Sequence, residues 1–464
     1  MRPEMRGVWL AAALLALGGC VVGPDYAPPV AVQPARAFVR AGTAQAEAPV
    51  ARWWLGLQDA QLAALIERGL ANAPQIAIAD ARLHQARAGL AGSRAAVLPT
   101  LGTSAAYLHA DLPGAGLQGL NQFYNLGFDA NWEVDLWGGK HRAVEQSRAG
   151  VGAALAERGD AEVALAAEIA RTYVTMRARE ASGGLLAERR ALESQTLRLG
   201  EARLAAGTVP RQTVEAFRAQ LEQTEGEQAA VAGDSAALHD ALAVLTGQVP
   251  GALDALAAAP VPLPPVEVPI GDPAGLIARR PDVRAADRAY AAATAGVGVA
   301  QARRYPAISL FGVVGLGGTS AGKMFDPSQY ASLLVPTLQW SFPDLGRVEA
   351  GIKGARGARE LALAQYQGAV LSALQDSESA LARYGAARVG WAKSGAAAAH
   401  ATEIARLQAM RADAGTIAQG DAIDAARGRV NARLAEVNGR ASLTLAYVAL
   451  SKALGLGWDA EAPR

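Results

Sequence analysis

One helix-and-strand pattern occurs twice in this chain, and this duplication limits the folds that the chain can adopt. Residues 74–101 and 280–310 each hold a proline, a long run of helix-compatible residues, a second proline and an apolar, strand-like end. Four matches at one offset indicate an internal duplication. The matched pairs, all 207 positions apart, are Pro74 and Pro281, Asp80 and Asp287, Gly89 and Gly296, and Pro99 and Pro306.

Each copy continues into two predicted β-strands. Residues 124–136 alternate between an apolar set, which begins with Tyr124, and a set of polar residues and glycine, which begins with Asn125. A period of two that persists over this length indicates a strand. The length and the aromatic residues also suit a tilted strand that crosses a membrane. The predicted strands are 100–109, 123–136, 307–316 and 330–342.

Long helical stretches follow the strands, at 140–206 and 347–413, and neither contains an internal proline. At a rise of 1.5 Å per residue, about 65 residues span roughly 100 Å. That length suits a coiled-coil-like assembly, unless the first helix breaks at Ser182–Gly184. Each long helix ends in an Ala-Gly-Thr turn, at 206–210 and 414–418, and a second helix then returns.

The duplication sets the predicted division of the chain into domains. A stretch with seven prolines separates the two copies and is predicted to be a linker. The predicted segments are a first repeat at 53–247, the linker at 248–275, a second repeat at 276–458 and a short tail at 459–464.

Residues 1–19 are predicted to form a lipoprotein signal peptide. Arg2 and Arg6 precede an apolar run that is too short to span a bilayer, and a Leu-Gly-Gly sequence leads to Cys20. This ending resembles the lipobox of bacterial lipoproteins, so we expect lipidation of Cys20, which gives an anchor rather than a membrane span. The alternative is an ordinary signal peptide in which the cysteine is incidental.

The residues after Cys20 carry two further indications. By resemblance to lipoproteins of Gram-negative bacteria, Val21 in place of an aspartate favours delivery to the outer membrane. Residues 20–52 are rich in proline, alanine and glycine without periodicity, so they are predicted to form a lipidated, extended N-terminal tether.

The four predicted strands require partner chains. An open sheet in lipid leaves two strand edges whose backbone groups cannot be satisfied in hydrocarbon. A closed barrel must therefore be shared between copies of the chain. Two copies give eight strands and three give twelve, and both numbers are physically possible. Eight strands leave an interior that side chains fill, whereas twelve can leave a channel.

The composition argues against several functions. The formal net charge is +1 and no long lysine or arginine run occurs, so no nucleic-acid partner is predicted. The single cysteine, Cys20, excludes an intramolecular disulfide and a cysteine-based metal site. No Ser/His/Asp, Cys/His or paired-carboxylate set occurs at a suitable spacing. We therefore predict neither an enzyme nor a metal or cofactor, apart from the covalent lipid.

The whole pattern resembles TolC-type outer-membrane factors, in particular their lipidated OprM/NodT branch. The resemblance covers nearly the whole mature chain, and it rests on the lipobox with Gly23-Pro24-Asp25-Tyr26 after it, on residues 280–310, on the Ala-Gly-Thr turns and on residues 451–458. It implies a mixed α and β membrane protein. Three copies would form a homotrimer with a twelve-stranded outer-membrane β-barrel, four strands from each chain, continued by a long periplasmic α-helical barrel.

The same resemblance implies location and partners. The chain is expected in the outer membrane of a Gram-negative bacterium, in contact with its lipid. A periplasmic adaptor (membrane fusion) protein and an inner-membrane transporter, of RND type, are the expected partners. The transporter supplies energy, and the adaptor docks on the helical barrel.

Acidic residues near the second turn are the predicted gate. The resemblance places a periplasmic constriction at the turns, where Asp421 and Asp424 lie three residues apart on one helix face. In a trimer they would form rings of carboxylates that favour cations. The alternative is that both simply stabilise the positive end of a helix. Near the first turn, Arg211 and Thr213 are predicted to make contacts at the closed tip. Arg211 would pair with an acidic residue across the tip and hold it shut, and a solvated charge at the helix start is the alternative for Arg211.

The expected function is therefore an exit duct of a tripartite efflux pump that passively conducts small molecules such as drugs. A duct for type I protein secretion is an alternative within the same architecture. A structural helical lipoprotein that bridges envelope layers is an alternative of another class, but residues 124–136 argue against it because such a protein needs no barrel.

Overall fold

Two compact units, each built from both sequence repeats, make up the fold. A computed structural model describes residues 21–29, 37–40, 51–109, 122–266, 268–318, 320, 322, 326, 328, 330–340 and 342–458. The first unit combines segments of Met1–Val30, Arg82–Leu155 and Ala285–Gly368, and the second combines segments of Ala31–Ala81, Ala156–Arg284 and Ala369–Arg464.

The elements follow the same order in each half of the chain: two helices, two strands, a long helix and a returning helix. The helices are α1 (Ala60–Asn72), α2 (Pro74–Ala95), α3 (Gly139–Ala205), α4 (Arg211–Leu245), α5 (Pro273–Arg279), α6 (Pro281–Ala302), α7 (Leu345–Asp413) and α8 (Gln419–Ala453), and the strands are β1 (Thr100–His109), β2 (Gln122–Val134), β3 (Ala307–Gly318) and β4 (Tyr330–Gln339).

The strands lie within three residues of the predicted positions. β2 ends at Val134, two residues early, because the next residue, Asp135, accepts the backbone N–H groups at the start of α3, from Lys140 at 3.0 Å and His141 at 2.9 Å. β4 ends at Gln339, and a short 3₁₀ turn that contains Pro343 follows it. This turn begins at Phe342, so the predicted strand end at residue 342 is too late.

The strands form one antiparallel sheet in the order β1-β2-β3-β4. Leu101, Ala130, Gly312 and Leu334 are paired across the four strands and therefore share one face. That face exposes large apolar side chains, with Leu101 83%, Phe128 67% and Leu334 70% exposed. On β2 the polar residues Asn125, Asp129, Asn131 and Glu133 point to the opposite face. The sheet thus has an uncovered apolar surface, and β1 and β4 are its edges.

In both repeats a tryptophan on the second strand hydrogen-bonds to the backbone at the junction between the helix and the first strand. The indole N–H of Trp132 donates to the carbonyl of Val97 at 3.0 Å, and that of Trp340 donates to Arg304 at 3.1 Å. The two acceptors are 207 positions apart, and each lies two residues before the proline that separates helix from strand. The predicted boundaries at these prolines are confirmed, since β1 begins at Thr100 and β3 at Ala307.

The long helices are continuous. α3 has 67 residues and α7 has 69, and α3 continues through Ser182–Gly184 without a break. Within the part of the chain that the structure describes, no helix combines the length and the apolar character that crossing a bilayer requires.

A large hydrophobic core lies in the second unit. Leu62 and Ile66 of α1 pack there against Tyr173 of α3 and Tyr447 of α8, and all four are buried. The Tyr447 hydroxyl donates to the carbonyl of Trp53 at 3.0 Å, and the two rings meet edge to face at 5.8 Å. The tyrosine is therefore held by both packing and a hydrogen bond.

The proline-rich segment between the repeats packs against this unit. Val261 and Ile270 are 3% exposed, and the Thr444 hydroxyl donates to the carbonyl of Pro262 at 2.6 Å. α5 begins at Pro273, inside the predicted linker, because Asp272 caps its first turn by accepting the Gly275 N–H at 2.6 Å. Composition indicated a connection here, but it gave no sign of this packing.

Candidate functional site

The two Ala-Gly-Thr turns have the same hydrogen bonds in both repeats. Gly207 and Gly415 adopt φ values of +68° and +69°, a left-handed conformation that favours glycine. Thr208 donates its N–H to the carbonyl of Arg203 at 2.9 Å, and its hydroxyl also donates there at 3.0 Å. Thr416 makes the same pair of bonds, both at 2.9 Å. Each threonine thus stabilises the carbonyl end of a long helix and fixes a tight turn.

Both predicted gate carboxylates lie exposed at the start of α8, just after the second turn. Asp421 lies in the first turn of the helix, and no ion pair involves it among the described residues. Asp424 lies three residues further and is contacted by Arg427 at 3.3 Å, with 69% of its side chain exposed. Arg427 also approaches the buried Glu193 of α3 at 3.6 Å. Among the described residues Asp421 thus has no ion-pair partner and presents its charge to solvent, whereas Asp424 is partly neutralised by Arg427.

The residues predicted at the first turn have contacts within their own helix. Arg211 is 84% exposed and lies 3.5 Å from Glu215, one turn along α4. Thr213 donates its N–H to the carbonyl of Pro210 at 3.1 Å. The described residues thus bring neither side chain to Asp421 or Asp424 by a hydrogen bond or ion pair. Their contact at the closed tip stays a prediction.

Replacing Asp421 and Asp424 together with asparagine is expected to reduce cation selectivity. The carboxylates attract a nearby cation by about 1 kcal/mol. Their removal is therefore expected to lower the ratio of cation to anion permeability roughly fivefold. Reversal potentials in planar lipid bilayers measure this ratio. Asp254→Asn, which removes one carboxylate in an exposed loop of the second unit, is the control. Unchanged selectivity and conductance in the double variant would show that the two residues act only at the helix start.

The segment that follows the predicted lipidation site is held in place by one buried arginine. Cys20 lies outside the described residues, which begin at Val21. Arg142 of α3, 5% exposed, donates to the carbonyls of Val22 at 3.2 Å and Gly23 at 3.3 Å, and to the Asp25 carboxylate at 2.7 Å. Charge-assisted hydrogen bonds of this kind are stronger than neutral ones. The arginine therefore fixes the backbone next to the predicted lipidation site.

Close backbone packing also holds this segment. Gly23 has φ +103°, and a Cβ there would lie 2.4 Å from the Cα of Gly298 on α6. The Tyr26 hydroxyl donates to Asp287 at 2.5 Å, and the Arg288 guanidinium lies 5.1 Å from its ring centre. Burial, together with the hydrogen bond to Asp287, raises the pKa of the Tyr26 phenol to about 12. The phenol therefore keeps its proton and donates at physiological pH.

Replacing Arg142 with alanine is expected to release residues 21–26 from α3 and α6. The change removes three hydrogen bonds to this segment from a charged donor, and each such bond contributes about 1.5–3 kcal/mol. Hydrogen–deuterium exchange of the Val22 amide, which donates to the carbonyl of Trp137 at 3.1 Å, reports the release. Arg148→Ala, an exposed arginine on the same helix, is the control. Equal exchange rates in both variants would contradict a role of Arg142 in docking.

Sequence reasoning missed this docking, since the composition of residues 20–52 predicted only a tether. The Gly-Pro-Asp-Tyr motif was the available signal, because its glycine, aspartate and tyrosine make the contacts. The described residues contain no cluster of three or more histidine, cysteine or acidic side chains arranged to hold a metal ion.

Comparisons with known proteins agree with these features. The profile of the family described as outer membrane efflux protein matches residues 65–248 and 273–456, which are the two halves of the duplication. The pyoverdine export outer membrane protein OpmQ of Pseudomonas aeruginosa is 28% identical over 99% of this chain and 98% of its own length. The multidrug resistance outer membrane protein MdtP of Shigella flexneri is 30% identical over 71% of this chain and 70% of its own.

A solved structure agrees as well. That of the outer-membrane channel OprN superposes with a TM-score of 0.86 at 30% identity, and the match covers 95% of this chain and all of the other. As part of this group the chain is a transport protein of the outer membrane rather than an enzyme. The chain therefore belongs to the family of outer membrane efflux proteins.

Proposed function

We propose that this protein is the outer-membrane exit duct of a tripartite efflux pump and that small molecules cross it passively, from the periplasm to the exterior. Three copies form one duct. Each contributes its four strands to a twelve-stranded barrel, and the long helices of all three continue the duct as a helical barrel in the periplasm.

The four-stranded sheet is the observation that supports this proposal most strongly. One of its faces exposes Leu101, Phe128 and Leu334, which is unfavourable in water but suited to lipid. Its edges, β1 and β4, need further strands in hydrocarbon, because backbone groups without partners are costly there. Closure by three copies gives every edge a partner and leaves room for a channel, whereas eight strands leave an interior that side chains fill.

The lipid on Cys20 is part of the proposal. The Leu-Gly-Gly-Cys sequence supports it, and so does the docking of residues 22–26 directly after the cysteine. A docked segment places the anchor at a defined point of the first unit. Mass spectrometry of the mature N-terminus tests the modification, and an unmodified Cys20 would contradict it.

Small molecules are the proposed cargo. The names of two relatives refer to pyoverdine export and to multidrug resistance, which favours small molecules over secreted proteins. The energy comes from an inner-membrane transporter, for which the RND type is proposed, and a periplasmic adaptor connects the two. Asp421 and Asp424 set the charge selectivity at the periplasmic constriction.

Deletion of the gene tests this function. A deletion strain is expected to become more susceptible to at least one compound in a broad panel of antibiotics, dyes, detergents and solvents. A plasmid that encodes the wild-type chain is expected to restore resistance. An unchanged susceptibility to every compound would contradict the efflux function.

A further inference from the structure

A cavity of about 450 Å³ lies in the first unit, where the strands of the sheet meet the helices. Its walls come from the ends of β2 and β4, the start of β3 and the adjoining ends of α3, α6 and α7. A largely apolar cavity of this size with a few charged groups is typical of sites that bind small molecules. Most of its lining residues are apolar, and the charged ones are Glu133, Asp135, Lys140 and Arg303.

The cavity opens on the face of the sheet opposite the apolar one. Ala307 is paired with Gln339, and Glu133 lies on the same face as both, because each is an odd number of residues along its strand from a residue of the apolar face. Lys140 lies about 200° around α3 from Arg142, so the cavity and the docked N-terminal segment are on different sides of this helix. In the proposed duct this face of the sheet lines the lumen, and a ligand in the cavity is held inside the duct.

Trp137 and Tyr305 form an aromatic wall of the cavity. Their rings are stacked, with centres 4.6 Å apart and planes 21° from parallel. The indole N–H of Trp137 donates to the carbonyl of Pro306 at 2.8 Å, which fixes the orientation of its ring. Tyr305 is 39% exposed, so part of the wall is accessible to a ligand. An aromatic ligand can stack on such a wall or meet it edge to face.

Three of the four charged groups in the cavity have partners. The Asp135 carboxylate accepts the N–H groups of Lys140 at 3.0 Å and His141 at 2.9 Å, and it lies 2.6 Å from the His141 ring. The Lys140 ammonium lies 3.6 Å from the Glu133 carboxylate and donates to the carbonyl of the same residue at 3.1 Å. The guanidinium of Arg303 makes no hydrogen bond or ion pair with the residues that the structure describes. The charge that is left for a ligand is therefore positive.

We infer that this cavity binds amphipathic aromatic anions, with the aromatic ring against Trp137 and Tyr305 and the anionic group on Arg303. The inference rests on the proposed function and deepens it, because it assigns a class of small molecules to a site in the lumen. Arginine suits a carboxylate, since its planar guanidinium can donate two parallel hydrogen bonds. An aromatic cation would be repelled by Arg303, and the Glu133 carboxylate that could attract it already pairs with Lys140.

Three ligands with the same ring test the site: naphthalene-2-carboxylate, the neutral naphthalene-2-carboxamide and the cationic naphthalen-2-ylmethylammonium. Saturation-transfer NMR titrations on the purified full-length protein measure their affinities, and protein-free micelles of the same detergent provide the blank. We expect the carboxylate to bind about tenfold more tightly than the other two, the factor that corresponds to a charge-assisted hydrogen bond.

Equal affinities for the three ligands, or no binding of any of them, would overturn the site. Either result differs from a failure of the proposed duct, which is an unchanged drug susceptibility of the deletion strain. Loss of binding by the wild-type chain in a strain that still needs the gene for resistance would therefore contradict the site alone.

Arg303→Gln and Arg304→Gln form a matched pair of variants. Arg304 is the next residue along the chain, and its guanidinium pairs instead with Glu349 at 2.8 Å. Arg303→Gln is expected to weaken carboxylate binding about tenfold and to leave carboxamide binding unchanged, whereas Arg304→Gln should bind both like the wild type. Similar carboxylate affinities in the two variants would overturn the assignment of the anion to Arg303, and would leave this residue only its favourable place at the carboxyl end of α6.

Tyr305→Leu tests the aromatic wall separately. This variant is expected to bind both the carboxylate and the carboxamide more weakly, while the preference for the carboxylate remains. The amount of each variant in the outer-membrane fraction shows that it is folded and inserted. Wild-type affinity of Tyr305→Leu for both ligands would overturn the placement of the ring against Trp137 and Tyr305.

Discussion

Replacing Phe128 with arginine is expected to remove most of the protein from the outer membrane. Phe128 lies on the apolar face of β2, paired with Thr103 and Val314, and is 67% exposed. If this face meets lipid, a charged side chain there costs about 2–4 kcal/mol near the bilayer midplane. A trimer would carry this cost three times. We therefore expect a strong loss of folded protein in the outer-membrane fraction, measured by quantitative immunoblotting.

Asn131→Arg is the matched control for this change. Asn131 lies three residues along the same strand and therefore on the opposite face of the sheet, where Asp129 and Glu133 also lie. In a barrel that face lines the lumen, where an arginine stays in water. We expect nearly wild-type amounts of this variant. Equal losses for both variants, or for neither, would contradict the assignment of the apolar face to lipid.

Replacing Arg177 with alanine is expected to destabilise the second unit strongly. This arginine of α3 is 0% exposed and donates to Glu180 at 2.7 Å, to Gln61 at 2.6 Å and to the carbonyl of Ala257 at 2.8 Å. It also lies 4.8 Å from the ring centre of Tyr173. Removing one member of a buried charged network typically lowers the free energy of unfolding by about 3–5 kcal/mol.

Chemical denaturation of the purified protein in detergent measures this change in the free energy of unfolding. The loss of the helical circular-dichroism signal monitors the unfolding. Arg171→Ala is the control, since Arg171 lies six residues earlier on α3 and is 61% exposed in its ion pair with Glu168. Exposed pairs of this kind contribute about 1 kcal/mol or less. The stability of Arg177→Lys should fall between those of the two alanine variants. Its ammonium group keeps the charge but cannot donate the same three hydrogen bonds in the planar geometry of a guanidinium. Similar stabilities for Arg177→Ala and Arg171→Ala would refute the structural role of Arg177.

The elements that the sequence predicts well have local signals. Strict alternation identifies β2, and prolines mark where strands begin at Thr100 and Ala307. Gly207 and Gly415 mark the turns, because only glycine adopts a positive φ there without strain. Each of these signals lies within a few residues of the feature that it determines.

The features that the sequence does not predict depend on residues far apart in the chain. Arg142 is 117 positions from Asp25, and Arg177 is 116 positions from Gln61. No periodicity indicates that these arginines are buried, because a charged residue on a helix is exposed by default. The two compact units are also hidden from the sequence, since each combines parts of both repeats.

The position of the predicted gate residues, Asp421 and Asp424, is compatible with two roles. Asp421 is in the first turn of α8, where a carboxylate stabilises the helix, and it is also exposed next to the turn. A ring of carboxylates exists only when several copies come together. Its function therefore follows from assembly rather than from any contact within one chain.

Cryo-electron microscopy of the full-length protein, purified from Gram-negative outer membranes into lipid nanodiscs, tests most directly whether three copies make one duct. We expect a three-fold symmetric particle with twelve strands around a single lumen in the lipid and with the long helices of all three copies continuing that lumen. A particle with one or two copies, or three copies without a shared lumen, would contradict the proposed duct.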